Sequence, residues 1–260
     1  MTPPAGLRGG EAAGATPDAR QIRPLWLGRR PYGEVLALQE RLLEDRANQH
    51  RGNTLLLLEH EPVVTFGRLV KDHDLRVPRE LLGELGVALF ETGRGGNATY
   101  HGPGQLVAYP IFDLKPDRCD VRRYVRDLGD VMIRLVRERG VAAGMLSGAY
   151  LGIWADPEQP ETYREEAETL AKIGAIGVRL SRFCTMHGLA LNLSTDLSAF
   201  ARLIYPCGIA DRGITSLSAL TGETVPVEAM AHRAAAVFGE VFGWGASLVE
   251  DASELPLELV

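Results

Sequence analysis

The sequence predicts an α+β fold in a single domain, with mixed sheets packed against a few helices and no strict strand–helix alternation. Three observations predict it. Short apolar runs of strand length recur along the chain, and they are grouped rather than alternating with helices. Helical patterns are few, but one, over residues 121–139, is strongly periodic. No linker-like composition interrupts residues 21–245, so one core is expected there.

Residues 1–20 are rich in Gly, Ala and Pro and nearly lack large apolar groups. Such a segment cannot bury enough surface to offset ordering entropy, so it is expected to be a disordered extension. Pro31 opens a helical pattern with Val35, Leu36, Leu42 and Leu43 on one face. Residues 55–58 read as a buried strand and 63–66 as a second. Residues 106–114 read as a strand that Pro110 should force to an edge or an irregularity.

The strongest pattern follows. Val121, Tyr124, Val125, Leu128, Val131, Met132, Leu135 and Val136 keep helical spacing, with Asp120 placed as N-cap and Gly140 as stop. Residues 150–154, 171–180 and 185–193 read as further strands. Between the first two lies an acidic stretch, 156–170, that looks inserted. Pro226 opens a last helix whose apolar stripe is Ala229, Met230, Ala234, Val237, Phe238 and Val241. Residues 246–260 read as an acidic C-terminal tail.

Composition excludes several classes. Uncharged apolar runs such as 55–58 are only a few residues long, far too short to span a bilayer. A formal net charge of −6 argues against general nucleic-acid binding. Three cysteines, none in a CxxC pair, do not make a disulfide scaffold and fit a reducing compartment. No basic start followed by an apolar stretch marks a secretory signal, so a cytoplasmic location is expected. The charge is uneven. Residues 156–170 carry −5 and 246–260 carry −4, which leaves +3 on the rest. Seven arginines against four acids between Arg118 and Arg139 make that helix the densest basic stretch, a docking candidate for an acidic partner.

Three segments carry chemistry. RGGNATYHGPG (94–104) combines four glycines with Arg94, Thr99, Tyr100 and His101, the composition of a loop that approaches a ligand closely. It is neither a phosphate-binding GxxxxGK[ST] loop nor a GxGxxG fingerprint. KIGAIGVRLSRFCTMHGLALN (172–192) places Lys172 at the head of a small, apolar strand, where it is either partly desolvated or snorkels to water. His187 either lines a site or is a hydrogen-bonded structural residue. YPCGIAD (205–211) sets Cys207 between Pro206 and Gly208, in a constrained turn. Cys184 sits in a strand pattern and Cys119 before a helix, so Cys207 is the best nucleophile of the three. A competing reading gathers Cys184, His187, Cys207 and His101 around a zinc ion, at a spacing unlike that of a known finger.

Together these segments resemble the lipoyl(octanoyl) transferase family. The resemblance rests on HEPVVTFGR (60–68), RGGNATYHGPGQLVAYPIFDL (94–114), KIGAIGVRLSR (172–182), HGLALNLSTDL (187–197) and PCGIADRGITSL (206–217), in that order. It implies a fold shared with lipoate ligases and biotin protein ligases. It implies octanoyl transfer from octanoyl-acyl carrier protein to a lysine of a lipoyl domain, in 2-oxoacid dehydrogenase complexes and the glycine cleavage H protein. It implies Cys207 as the nucleophile that carries the acyl thioester, and Lys172 as the cation that favours its thiolate and exchanges protons. Substrate-lining positions carried over are Arg94, Gly95, Gly96, Asn97, Ala98, Thr99, Tyr100, His101, Ala175, Ile176, Gly177, Gly188, Leu189 and Ala190. No cofactor and no metal are implied, and neither nucleic acid nor a membrane is a partner. The rivals are an ATP-dependent lipoate–protein ligase, which would not need Cys207, and a non-catalytic carrier-binding module with the Cys/His metal site. The 156–170 stretch is longer than the family pattern leads one to expect beside Lys172.

Overall fold

The computed structural model describes residues 20–71, 74–205 and 212–260. The described chain runs β1 (Gln21–Arg30), α1 (Tyr32–Ala47), β2 (Asn53–His60), β3 (Val63–Phe66), α2 (Arg79–Glu84), β4 (Ala88–Glu91), β5 (Ala98–His101), β6 (Gln105–Ile111) and α3 (Val121–Arg137). It continues with β7 (Ala143–Leu146), β8 (Gly152–Ala155), β9 (Ala171–Ser181), β10 (Cys184–Asn192), α4 (Leu197–Leu203), α5 (Leu217–Thr221), α6 (Val227–Phe242), β11 (Gly245–Ala246) and β12 (Glu250–Asp251). The disorder expected of 1–20 falls, Arg20 apart, outside the described residues.

The larger sheet has the order β11-β1-β2-β6-β10-β9-β8-β7, with β12 also on β1, and the smaller is β4-β3-β5. Both are mixed. β1 runs parallel to β2, and β6, β10, β9, β8 and β7 are antiparallel to their neighbours. In the small sheet β3 pairs parallel with β4 and antiparallel with β5. The larger sheet separates two cores. On one face Leu128, Val131 and Leu135 of α3 and Val237 and Phe238 of α6 pack with Ile173, Leu189 and Leu191. On the other, Val35, Leu38 and Leu42 of α1 pack with Leu56, Val107, Tyr109, Met186 and Ala190.

The periodic helix forms where the pattern places it. The Asp120 side chain accepts hydrogen bonds from the backbone N–H groups of Arg122 and Arg123, satisfying two orphan donors of the first turn. Gly140 follows with φ +78°, a left-handed stop. Val121 departs from the expected stripe: it lies in the first turn and is 45% exposed. In α6 the same holds for Ala229, which is exposed.

Of the edge or irregularity expected at Pro110, the structure shows the irregularity. β6 is central, and Pro110 pairs with Leu55 of β2. The ladder from β6 to β10 ends at Ala108–Leu189, so no bond from a Pro110 N–H is called for. The Pro110 carbonyl instead accepts from Thr185 Oγ1 at 2.7 Å, which also receives the Phe112 N–H. Residues 150–154 are not one strand: Gly148–Tyr150 is a 3-10 turn, and β8 begins at Gly152. β1 has no counterpart in the sequence pattern. Residues 246–260 fold onto β1 and α1, where Arg30, Arg41 and Arg51 donate to their carbonyls. Residues 156–170 hold no helix or strand, but Tyr163 packs beside Trp154 and Leu170.

Candidate active site

The site is built where β9 and β10 pass under the Gly-rich segment. Strand alternation alone would point Lys172 with Gly174 toward α3. A bulge prevents this. Ile153 of β8 pairs with Gly174, but its neighbour Trp154 pairs with Lys172, so Ile173 is an extra residue. Ile173 belongs to the α3-side core, and a Cβ on Gly174 would meet Met132 of α3. Two consecutive residues therefore face α3, and Lys172 and Ala175 both turn to the opposite face.

Lys172 is 3% exposed. Its Nζ donates to the Leu151 carbonyl at 3.0 Å and lies 5.0 Å from the centre of the Trp154 ring. Its stem runs along the strand: a Cβ on Gly152 would sit 2.9 Å from Lys172 Cε and 2.7 Å from the Gly174 carbonyl. The backbone of Lys172 is held by Gly213 and Thr215, which exchange hydrogen bonds with it at 2.9 Å. Cys207 lies outside the described residues. The chain on either side of 206–211 is anchored, Tyr205 to the Asp74 carbonyl and Gly213 to Lys172.

A cavity lies on the face that Lys172 turns to. It is lined by Arg94, Gly96, Asn97, Ala98, Thr99 and His101 from above, and by Ala175, Ile176, Gly177, Gly188, Leu189 and Ala190 from below. Twelve of the fourteen positions carried over as substrate-lining thus surround one space. Gly95 and Tyr100 do not. Gly95 donates its N–H to the Val178 carbonyl, which ties the loop to β9. Tyr100 points into the core under the small sheet, edge-on to Phe200. Lys172 adjoins the Ala175 end of the cavity rather than lining it.

The loop owes its shape to Arg94, which is buried. Its Nε and Nη2 donate to Thr65 Oγ1, and Nη2 also reaches the carbonyls of Thr65 and Asn97. The guanidinium thus folds the loop around itself. Gly188 is required by close approach: a Cβ there would lie 2.2 Å from the Ala108 carbonyl and 2.7 Å from Pro110 Cδ. Removing that methyl lets β10 and β6 close beneath the cavity.

The far end is a cluster of rings that sequence reasoning only partly found. Tyr32 and Tyr109 were not singled out. His187, by sequence either site-lining or structural, lines the cavity. His60 Nδ1–H donates to the Arg30 carbonyl, so its Nε2 accepts from the Tyr109 hydroxyl at 2.9 Å. His101 Nδ1–H donates to Gln105 Oε1 at 2.7 Å, and its ring stacks on Tyr32. His187 is 2% exposed, and neither ring nitrogen has a partner. Burial above all pulls His60 down to about 4. Burial, followed by the neighbouring His60 and Arg94 charges among others, pulls His101 to about 3. Burial, then Arg94 and Arg179, pulls His187 to about 3. The three rings are neutral at pH 7. Burial pushes the Tyr32 phenol up to about 12, although Arg94 opposes the shift.

Cys184 is buried, and burial raises its thiol, as an inert structural cysteine requires; Cys119 is exposed. Among the described residues no three His, Cys, Asp or Glu side chains gather to hold a metal ion. No described helix is long and apolar enough to cross a membrane. The arginines of α3 lie on the sheet face opposite the cavity.

Residues 31–239 match the lipoyl protein ligase A/B catalytic domain family. The octanoyltransferase of Caldicellulosiruptor bescii is 41% identical over 223 residues, covering 85% of this chain and 92% of that protein. The chain belongs to the octanoyltransferase family. A bi-partite lipoate protein ligase of Thermoplasma acidophilum superposes with a TM-score of 0.67 at 15% identity, covering 90% of this chain and 88% of that one. The biotin protein ligase of Aquifex aeolicus with biotin and ATP gives a TM-score of 0.50 at 15% identity, covering 85% of this chain and 70% of that one. These two likenesses show the fold alone. The octanoyltransferase therefore shares its architecture with the ligases, as the sequence led one to expect.

Proposed function

We propose that this octanoyltransferase takes its acyl group from octanoyl-acyl carrier protein, holds it as a thioester on Cys207, and passes it to a lysine of a lipoyl domain. The acceptors are lipoyl domains of 2-oxoacid dehydrogenase complexes and the glycine cleavage H protein, in the cytoplasm. The observation that carries the proposal is the β9 bulge. It turns a buried lysine onto the face of a cavity lined by the family's substrate-binding positions.

Two displacements suffice, and the donor thioester is already activated, so no nucleotide enters. The Cys207 thiolate attacks the octanoyl carbonyl, the carrier thiolate leaves and takes a proton, and octanoyl-Cys207 remains. The acceptor lysine attacks as a neutral amine, expels the Cys207 thiolate and gives up its proton. Lys172 is the group assigned to favour the thiolate and to relay protons, the role an adjacent cation plays for reactive cysteines. The two glycine-bearing strands supply an apolar bed, where each buried methylene contributes about 0.8 kcal/mol.

The carrier approaches from the cavity side. Segment 67–71 is hydrogen-bonded to the carbonyls of Arg94 and Gly96 at the cavity lip, and it exposes Arg68, Lys71 and Leu69, the last at 64%. An acidic carrier protein fits this lip better than the arginine face of α3.

The test mixes the purified chain with octanoyl-carrier and an unmodified lipoyl domain, without ATP. Octanoyl-lysine should form. Formation only from free octanoate and ATP would make the chain a ligase instead.

A further inference from the structure

The polar end of the cavity sets a length. We infer that His187, backed by Tyr109, closes the far end of the acyl cavity and limits the chain to about eight carbons. This rests on the octanoyl transfer proposed above.

The distances carry the inference. Lys172 and Val178, the cross-strand partner of His187, are six residues apart on β9. Because Ile173 is the extra residue of the bulge, this stretch advances about five strand rises, roughly 17 Å. The Lys172 stem covers about 6 Å of this toward Gly174, from five bonds of about 1.5 Å each. About 11 Å remains along the strand between Lys172 Nζ and the His187 ring. An extended octanoyl chain, with seven C–C bonds, reaches roughly 9 Å. A reacting carbonyl placed about 3–3.5 Å from its catalytic group brings the methyl end to the ring.

The wall is also built unlike the bed. Ala175, Gly177, Gly188 and Ala190 present an apolar bed, and the lining then changes to rings with polar atoms. Tyr109 cannot swing aside, because His60 holds its hydroxyl and the Arg30 carbonyl holds His60. His187 stands edge-on to Tyr109 at 6.3 Å. Its backbone has φ +58° in mid-strand, a conformation that costs free energy for a residue with a side chain. This is also where side-chain alternation breaks: Leu189 and Leu191 face the α3 core, whereas the His187 ring lies against Tyr109 on the other side. Neither the strain nor the two partnerless nitrogens benefits packing. Both place a ring across the end of the cavity. A longer chain would have to displace that ring, and its methylenes offer no hydrogen bond in return.

The test compares kcat/KM for octanoyl-carrier and decanoyl-carrier in the wild type, His187→Gly and Tyr109→Leu. Glycine suits the left-handed backbone, so His187→Gly opens the wall without new strain. The decanoyl-to-octanoyl ratio should rise roughly tenfold, the gain from burying two more methylenes. Tyr109→Leu trims the same wall from β6 and carries the test if His187→Gly melts below the assay temperature. A variant that transfers octanoyl with an unchanged ratio overturns the length assignment alone. Loss of both reactions in a His187→Gly chain that melts like the wild type also overturns it, because His187 then serves the chemistry. A wild type that transfers no acyl group overturns the proposed function and this assignment with it.

Discussion

Acidification should unfold this protein through its histidines before its carboxylates titrate. His60, His101 and His187 are each buried and neutral, at about 4, about 3 and about 3. An exposed histidine in the unfolded chain titrates near 6.5. Above pH 6.5 both states are neutral and the difference vanishes. As pH falls below 6.5 the unfolded chain takes up protons that the folded chain refuses, and stability falls until the folded values are reached. At pH 5 each histidine costs about 2 kcal/mol, from 1.5 units at 1.36 kcal/mol per unit, so the three together cost about 4–6 kcal/mol. That is a large part of the 5–15 kcal/mol typical of a native domain. Urea unfolding at pH 7 and pH 5 reads it directly, with His101→Gln removing about a third of the difference. A stability that changes by less than about 1 kcal/mol over this interval would refute the reasoning, as would ring NMR titrations near 6.5.

Three further outcomes follow from the geometry. Gly188→Ala forces a methyl into the Ala108 carbonyl and Pro110 of β6; it should cost at least about 2 kcal/mol in urea unfolding, and wild-type stability would show that β10 does not lie this close. Lys172→Met keeps the stem over Trp154 and removes the ammonium; kcat should fall roughly 10²–10⁴-fold with an unshifted melting temperature, whereas a retained kcat would remove Lys172 from the chemistry. Arg122→Glu with Arg123→Glu on α3 should leave the donor KM unchanged, while Arg68→Glu with Lys71→Glu should raise it several-fold at low salt; the reverse pattern would move the carrier to α3.

The legible parts of the fold were those whose signals are local. Residues 121–139 carry period, cap and stop within one window, and the helix forms there. β1 carries Pro24, Gly28 and three arginines in one strand, and it is made a strand by β2 and by residues 246–260, far away in sequence. Pro110 reads as an edge or an irregularity, and only the β10 ladder, which stops two residues short of it, decides for the irregularity. In the candidate site, the Gly-rich segment and the 172–192 segment were readable as candidates, and residues of both line one cavity. The aim of Lys172 was not, because the bulge that turns it exists only in the pairing of β8 with β9. Tyr32 and Tyr109 escaped notice for the same reason: single aromatic residues on α1 and β6 reach the cavity only through the packing of α1 on the sheet.

The central claim is a covalent one, and intact-mass measurement tests it most directly. Incubation with octanoyl-carrier alone, without an acceptor, should add one octanoyl group to the chain. Peptide mapping should place it on Cys207, Cys207→Ser should abolish it, and addition of a lipoyl domain should discharge it. An octanoyl group on Cys119 or Cys184, or full transfer by Cys207→Ser, would contradict the account.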